Sequence, residues 1–293
     1  MADIVERERA TCDTLAKAYS LLTQLDDVTR YTFTPDKADL VNNLIDNIFE
    51  ALRGGDGIGD IFEASAVPKS EAALPGKERA QRAYIRGKAL DAKEGYDPEA
   101  EVWLSRAVKL DPTAVEKWNA LGHSFWKKGD LEAARGCFAK GCGGDDPSSL
   151  PQNAVSLREM SKLLRQVPKL ATSESSELEA KRPDNNNTSS GVWNDSILAT
   201  EEGRLRESLT KARQAVSLDV QDAESWFVLG NAYVSMFFKV EADPALMDKA
   251  LAAYGRSERN GGERNPDLFF GRAQVHRYKE EYQRAADDCE IPP

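Results

Sequence analysis

The sequence lacks an excess of positive charge: 39 Lys and Arg stand against 49 Asp and Glu, which gives 293 residues a formal net charge of -10. Proteins that attract nucleic acids or membrane surfaces electrostatically are usually basic, so we expect no direct sequence-specific nucleic-acid binding and no membrane binding. No apolar run reaches the roughly 18 residues of a transmembrane helix. The N-terminal segment mixes acids and bases without an apolar stretch, so no signal peptide is expected.

The sequence also has few residues from which a catalytic or metal site could be built. It contains four cysteines and two histidines, and the histidines, His123 and His276, stand far apart. Without a secretory signal, the cysteines indicate reduced thiols packed in helices rather than a disulfide framework or a metal site. Signatures of zinc proteases, serine hydrolases, nucleotide-binding loops and kinases are missing. We therefore predict a binding protein without catalytic residues, metal or cofactor, located in the cytoplasm and the nucleus.

What the sequence does contain is a repeated helical signature. Two copies of W-x2-L-G-x2-aromatic, each followed by a small residue and a second aromatic residue, match the tetratricopeptide repeat of about 34 residues. Gly and Ala allow two antiparallel helices to approach closely, and the aromatic residues fill the space between them. The two copies consist of Trp118, Leu121, Gly122, Phe125, Ala134 and Phe138, and of Trp226, Leu229, Gly230, Tyr233, Ala250 and Tyr254.

Weaker copies of the signature surround these two. An earlier copy covers 87–112, an interrupted copy lies between the strong ones over 157–218, and a degenerate copy covers 269–289. The predicted fold class is therefore all-α: a tetratricopeptide-repeat solenoid, which is a right-handed superhelix, preceded by an N-terminal helical pair.

The predicted domain organisation follows from composition. Residues 1–53 have helical apolar spacing and form the N-terminal pair, and 54–75, rich in Gly, Ala, Ser and Pro, form a flexible linker. The solenoid covers 76–293, with about five repeats. The polar segment 172–196 has almost nothing to bury, which predicts a disordered insertion in the third repeat.

The last repeat is predicted to be truncated, because little of its second helix precedes Pro293. An uncapped terminal repeat leaves apolar surface in solvent. We therefore expect three aromatic residues there to be partly exposed: Phe269, Phe270 and Tyr282.

Four stretches resemble the tetratricopeptide repeat protein 5 family: AVKLDPTAVEKWNALGHSFWKKGDLEAA, SLREMSKLLRQV, QAVSLDVQDAESWFVLGNAYVSMFF and NPDLFFGRAQVHRYKEEY. The resemblance implies an adaptor that recognises the N-terminal peptide of nascent tubulin at the ribosome, near the exit tunnel, and promotes tubulin mRNA decay. It implies, as an alternative, a stress-responsive nuclear scaffold for a histone acetyltransferase coactivator complex. Members of the family continue with a C-terminal OB-like domain, beyond the end of this sequence.

Candidate peptide-binding residues lie on the first helices of the repeats, which line the concave face of such a solenoid. Arg158, Lys162 and Arg165 are spaced i, i+4, i+7 and form a basic row in an acidic protein. In the last repeat the same face carries Asp267 and Phe270. Such a groove suits a short peptide with charges of both signs, although an ordinary solvated face is the competing interpretation. By resemblance, Arg165 and Asp267 lie in the segments of the family's peptide clamp. The remaining candidates are Phe227 and Asn231.

A second basic patch consists of Arg106 and Lys109, which are spaced i, i+3 on the outer side of a second helix. By resemblance, this pair corresponds to the family's ribosome-docking surface, and Lys127 and Lys128 extend it. A solvated face is again the competing interpretation.

A third class of function is a carboxylate clamp that holds the C-terminal peptide of a chaperone. That function needs Lys and Asn on the first helices of two neighbouring repeats. The sequence offers Lys88 and Asn119, but the rest of the set is missing, which makes this alternative the weaker one.

Overall fold

The computed structural model of the chain is helical throughout the part that it describes, with twelve α-helices, one 3-10 turn and no strand. The all-α class predicted from the sequence is therefore confirmed for these residues. The predicted insertion, 172–196, lies outside the described residues, as does most of the predicted linker, 54–75. The described ranges are 2–31, 34–53, 74–143, 150–166 and 200–290.

The chain divides into two compact units, Met1–Cys137 and Phe138–Pro293, and the boundary falls inside the helix Leu131–Ala139. This boundary does not coincide with the domain boundaries predicted at residues 53 and 75, and those two boundaries stay predictions. The helices of the first unit, including α6, are α1 (Ala2–Tyr31), α2 (Lys37–Arg53), α3 (Gly76–Asp91), α4 (Pro98–Leu110), α5 (Val115–Lys128) and α6 (Leu131–Ala139). Those of the second unit are α7 (Ala154–Gln166), α8 (Glu201–Leu218), α9 (Ala223–Lys239), α10 (Pro244–Arg259), α11 (Pro266–Tyr278) and α12 (Tyr282–Cys289).

Three helices begin with the same local device, an Asp or Asn followed by proline. At α4, α10 and α11 the cap side chain accepts a hydrogen bond from the backbone N–H two residues later. Proline suits the first helical position because its missing N–H has no partner there and its φ angle is already helical. The cap residues are Asp97, Asp243 and Asn265.

Helix pairs pack through small residues at fixed positions. A Cβ atom on Gly87 of α3 would lie 2.6 Å from Leu104 Cγ on α4, and one on Gly230 of α9 would lie 2.4 Å from Tyr254 Cε1 on α10. Both distances are too short for a carbon–carbon contact. Only glycine therefore allows these helix pairs to approach as they do, which is the physical reason that the repeat signature requires a small residue.

The C-terminal pair differs from expectation at one aromatic residue. Phe270 and Tyr282 are exposed, at 63% and 65%, as predicted, but Phe269 is only 7% exposed, so that part of the prediction is wrong. The Arg272 guanidinium lies over the Phe269 ring at 5.2 Å and also forms an ion pair with Asp288 on α12. The side chains that join α11 to α12 thus cover Phe269.

Candidate peptide-binding site

The central residue of the candidate site is Arg165, near the end of α7 in the second unit. Its Nη1 atom donates to Ser161 Oγ at 2.8 Å and to Ser208 Oγ at 3.2 Å, and lies 3.5 Å from the backbone oxygen of Val228. No carboxylate within the described ranges forms an ion pair with it. Burial of the guanidinium lowers the pKa of Arg165 to about 10, so the side chain remains charged at neutral pH. Arg165 is thus a cation held by neutral oxygen atoms.

Two buried serines fix the position of this guanidinium. Ser161 on α7 and Ser208 on α8 are both fully buried, and their hydroxyl oxygens are 3.0 Å apart. Ser208 Oγ also donates to the Ser161 carbonyl oxygen at 2.9 Å. Hydroxyl groups that are held in this way can accept from Arg165 without neutralising it. Sequence analysis missed Ser208, because it lies on the far side of the interrupted repeat and no motif marks it.

Tyr254 connects Arg165 to the next two first helices. Its hydroxyl donates to Asn231 Oδ1 on α9 at 2.6 Å, and a Cβ atom on Gly271 of α11 would lie 3.1 Å from the same hydroxyl. Tyr254 also interacts electrostatically with Arg165, and its own pKa is raised by burial. The Asn231 amide nitrogen donates no hydrogen bond to any residue that the structure describes, so a ligand can accept from it. Tyr254 was predicted only as a packing residue of the repeat.

The exposed face of α11 carries the remaining charges of the candidate site. Asp267 lies in the first turn, is exposed, and its carboxylate has no hydrogen bond or ion pair among the residues that the structure describes. Phe270, Gln274 and Arg277 are exposed on the same face at helical spacing. Gly271 lies one turn after Asp267, so this face of α11 adjoins the Tyr254 hydroxyl, and Tyr254 in turn interacts electrostatically with Arg165.

The other two cations of the basic row have internal partners. Arg158 Nη1 lies 2.5 Å from Asp222 Oδ2, and Lys162 Nζ lies 2.7 Å from Glu224 Oε1. Both acids begin α9, where Asp222 is the N-cap. Lys162 also pairs with Glu159 at 3.1 Å. These ion pairs join α7 to α9, and a peptide carboxylate would have to compete with them. A direct role of Arg158 and Lys162 in peptide binding stays a prediction.

Phe227 belongs to the core of the second unit. It is 9% exposed, and its ring centroid lies 6.3 Å from that of Tyr254 at an interplanar angle of 39°. In this position Phe227 supports the tyrosine that orders the site, and it offers little surface to a ligand. Its predicted contact with a peptide is not tested by these contacts.

The second predicted patch lies in the first unit, on α4. The Arg106 guanidinium lies 5.6 Å from the centroid of the buried Trp103 ring, which holds its aliphatic stem against the helix. Lys109 is exposed and has no hydrogen bond or ion pair among the described side chains. Lys109 is therefore the more accessible of the two charges for docking.

The lysines of the weaker alternatives are bound to acids of their own unit. Lys127 and Lys128, predicted to extend the patch, and Lys88, the carboxylate-clamp lysine, each form an ion pair, and Asn119 is buried. The lysines are thus partly neutralised in the folded protein. Lys88 pairs with Asp26, Lys127 pairs with Asp91, and Lys128 pairs with Glu101.

The described residues also lack the features that a metal site or a membrane span would need. Within the described ranges, no three His, Cys, Asp or Glu side chains are grouped so that they could hold a metal ion. No helix in that part of the chain is both long enough and apolar enough to cross a membrane.

Comparison with known proteins gives relatives over most of the chain, although no protein-family model matches it. Tetratricopeptide repeat protein 5 of Mus musculus is 37% identical over 211 residues, which cover 71% of this chain and 40% of that protein. The Homo sapiens protein of the same name is 36% identical over the same length, with 41% of it covered. The chain thus spans about two fifths of the length of the curated relatives it matches.

Solved structures agree on the fold. The human IFIT1 dimer with m7Gppp-AAAA has a TM-score of 0.53 at 10% identity, covering 86% of this chain and 48% of that one. YrrB, described as a TPR protein with an unusual peptide-binding site, has a TM-score of 0.44 at 15% identity and covers 78% of this chain and 91% of its own. The likeness to IFIT1, at 10% identity, is informative about the fold alone, and the YrrB match, with its TM-score below 0.5, supports no argument. The helix pairs are tetratricopeptide repeats, and by sequence the chain is consistent with an N-terminal repeat region of the tetratricopeptide repeat protein 5 family.

Proposed function

We propose that this chain is the peptide-reading part of an adaptor that recognises the N-terminal peptide of nascent tubulin at the ribosome and promotes tubulin mRNA decay. Its fold and its relatives support the general statement that it binds proteins or peptides. The observation that carries the specific proposal is a pair of opposite charges without ion-pair partners among the described residues, Arg165 on α7 and Asp267 on α11. Met-Arg-Glu-Ile is a peptide whose adjacent base and acid complement these two charges.

The first helices of the second unit provide a place for such a peptide. The middle helix, α9, contacts both α7 and α11. Packed helices lie about 8 to 10 Å apart, and neighbouring side chains of an extended peptide point to opposite sides. A peptide backbone that lies along α9 can therefore direct its acid toward Arg165 and its base toward Asp267. The available amide nitrogen of Asn231, on α9 between them, can donate to a backbone carbonyl of the peptide.

Burial makes Arg165 selective for an anion. The serine and backbone oxygens that bond to it are neutral. The Glu159 carboxylate attracts it only electrostatically and is itself paired with Lys162, so burial of the guanidinium remains the largest effect on its pKa. A peptide carboxylate that reaches this guanidinium forms a charge-assisted hydrogen bond in surroundings of low polarity, where such bonds are strong. A cationic or neutral residue in the same place would leave the desolvated guanidinium unpaired.

Calorimetric titration of a Met-Arg-Glu-Ile peptide tests the two charges. Removing one partner of a charged hydrogen bond typically costs about 1.5 to 3 kcal/mol, so we expect Arg165→Ala and Asp267→Ala each to weaken binding by roughly ten- to a hundredfold. The matched control is Lys249→Ala, because Lys249 is an exposed cation of α10 without a described partner. Its affinity should equal that of the wild type.

A charge exchange makes the test stricter. A peptide with Lys in place of Glu should fail to bind the wild type but should bind Arg165→Glu, because the two charges are then exchanged. If the exchange has no effect and only aromatic substitutions weaken binding, the groove recognises apolar side chains and the charge assignment is wrong.

Co-sedimentation separates the proposal from its nuclear alternative. An adaptor for nascent tubulin acts in the cytoplasm and should sediment with ribosomes that are translating tubulin. A scaffold of a histone acetyltransferase complex in the nucleus should not. Absence of the protein from tubulin-translating ribosomes, at low salt and with the peptide site intact, would contradict the proposed function.

A further inference from the structure

A cluster of three aromatic side chains lies at the C-terminal ends of α9 and α11, outside the charged part of the site. Phe237 and Phe238 come from α9 and Tyr278 comes from α11. Their ring centroids are 5.1 to 5.4 Å apart, and the rings meet edge to face at interplanar angles of 72° to 85°. We call these three residues the aromatic platform.

The platform is exposed to an extent that folding alone does not require. Phe237 is buried at 6% exposure, but Phe238 and Tyr278 are 59% and 54% exposed. Aromatic rings that pack edge to face at the surface keep much of their apolar area in water, which is unfavourable unless a ligand covers it. The buried Phe237 holds the two exposed rings in place, so the surface is already ordered before a ligand arrives.

The platform continues the face that carries the peptide site. On α11, Tyr278 lies 11 residues after Asp267. On α9, Phe238 lies seven residues after Asn231. At 3.6 residues per turn, both spacings return to nearly the same side of the helix. Asn231 and Asp267 therefore lie on the same helix faces as the two exposed rings.

The charges around the platform indicate the chemistry of its occupant. Lys239 is paired with Glu201 at 3.0 Å, and Lys279 is paired with Asp248 at 2.6 Å. Arg277, next to Tyr278, is exposed and has no ion pair with any described residue. Arg277 thus places a cation without a described ion pair next to the apolar rings, which suits an aromatic or aliphatic side chain that neighbours an acid or a carboxylate.

We propose that the aromatic platform is a second subsite for the same peptide and binds an apolar side chain that follows the charged pair. This inference rests on the proposed function. Helix rise is about 1.5 Å per residue, so the platform lies roughly 10 Å beyond Asn231 and roughly 16 Å beyond Asp267 along the helices. An extended peptide advances about 3.3 Å per residue, so three to five residues cover this distance. The platform therefore reads residue 6 or 7 of a peptide whose residues 2 and 3 carry the base and the acid.

Peptides of eight residues test the register directly. The parent peptide is Met-Arg-Glu-Ile followed by four alanines, and Phe replaces each alanine in turn. Fluorescence anisotropy with a C-terminal label measures the affinity. We expect Phe at residue 6 or 7 to bind about tenfold more tightly than the parent, because a ring packed on aromatic rings gains apolar burial and an edge-to-face contact.

Alanine substitutions test whether the aromatic platform produces this gain in affinity. Phe238→Ala and Tyr278→Ala should each abolish the tenfold gain and leave the affinity of the parent peptide unchanged. Tyr282→Ala is the matched control, since Tyr282 is an aromatic residue of similar exposure, 65%, that is not part of the platform. It should keep the gain. Thermal melting of each variant checks that these exposed positions do not affect folding.

The possible outcomes separate the two proposals. If the parent peptide binds and Arg165→Ala weakens it, but Phe gives no gain at any position, the platform inference is wrong and the proposed function stands. If no peptide binds the wild type, both are overturned. If Phe238→Ala instead dissociates a dimer in analytical ultracentrifugation, the platform is an interface between two copies of the chain, and the subsite inference is again overturned.

Discussion

The close approach of α9 and α10 at Gly230 can be probed with one methyl group. In Gly230→Ala, the new Cβ atom would lie 2.4 Å from Cε1 and 2.6 Å from Cδ1 of Tyr254. Tyr254 is 1% exposed and its hydroxyl is bonded to Asn231 Oδ1, so the ring cannot move without losing contacts on its other side. Overpacking of a well-filled core typically costs about 1 to 3 kcal/mol.

A second glycine provides the control that isolates this cost. Gly255 is also inside a helix, α10, but the nearest atom to its added Cβ would be Arg259 Nη1 at 3.7 Å, an ordinary contact. Ala is favoured over Gly inside a helix by about 1 kcal/mol, and this gain applies to both positions. The difference in unfolding free energy between Gly230→Ala and Gly255→Ala should therefore be about 1 to 3 kcal/mol, because the propensity gain cancels.

Urea denaturation followed by circular dichroism measures this difference, and peptide affinity gives an independent readout. Because Tyr254 orders Asn231 and interacts with Arg165, its displacement in Gly230→Ala should also weaken the binding of a Met-Arg-Glu-Ile peptide. Gly255→Ala should be slightly more stable than the wild type and should bind normally. Equal stability of the two variants would refute the argument that Gly230 is required by the contact with Tyr254.

Two further predictions concern the first unit. Burial raises the pKa of Asp91 from 3.8 to about 6, so the folded state holds this proton more strongly than the unfolded chain and stability should fall by about 2 kcal/mol as pH rises from 4 to 7. Asp91→Asn should flatten this part of a melting-temperature profile, and an unchanged slope would contradict the assignment. Reversal of Arg106 and Lys109 to Glu should reduce ribosome co-sedimentation, most strongly at low salt, with little change in melting temperature. Lys249→Glu, an exposed control, should not, and survival of binding in the double reversal would mean that the patch is an ordinary solvated face.

The fold could be predicted because its requirements are local and repeated. Gly230 is recognisable from spacing alone, since Trp, Leu, Gly and an aromatic residue recur at the same offsets in both strong copies, and Tyr254 is recognisable as the aromatic residue that follows a small one in the second helix. Phe269 shows where this reasoning fails. Its burial depends on Arg272 and on the ion pair with Asp288, a contact between side chains that no repeat signature specifies.

The sequence predicts which helix face each residue of the candidate site lies on, but it does not predict which residues form ion pairs or hydrogen bonds with it. The row of three cations on α7 follows from helical periodicity. Ser208 follows from nothing in the sequence, because the segment that interrupts the repeat separates it from the helix that it supports. The acids that pair with Arg158 and Lys162 are likewise more than 60 residues away in the chain, at 222 and 224, and only folding brings them together.

The different roles of the three cations follow from their positions along α7. The start of α9 carries an N-cap carboxylate and an acid in its first turn, both of which are favoured at the positive end of a helix. Arg158 and Lys162 lie opposite these acids and are paired with them. Arg165, one turn later, lies opposite neutral hydroxyl and carbonyl groups, where α9 has no reason to place an acid. The acids that stabilise the start of α9 thus form ion pairs with two of the cations, and these ion pairs align α7 with α9. The third cation, Arg165, is held in a fixed position without an ion-pair partner among the described residues, which suits a receptor for a peptide carboxylate.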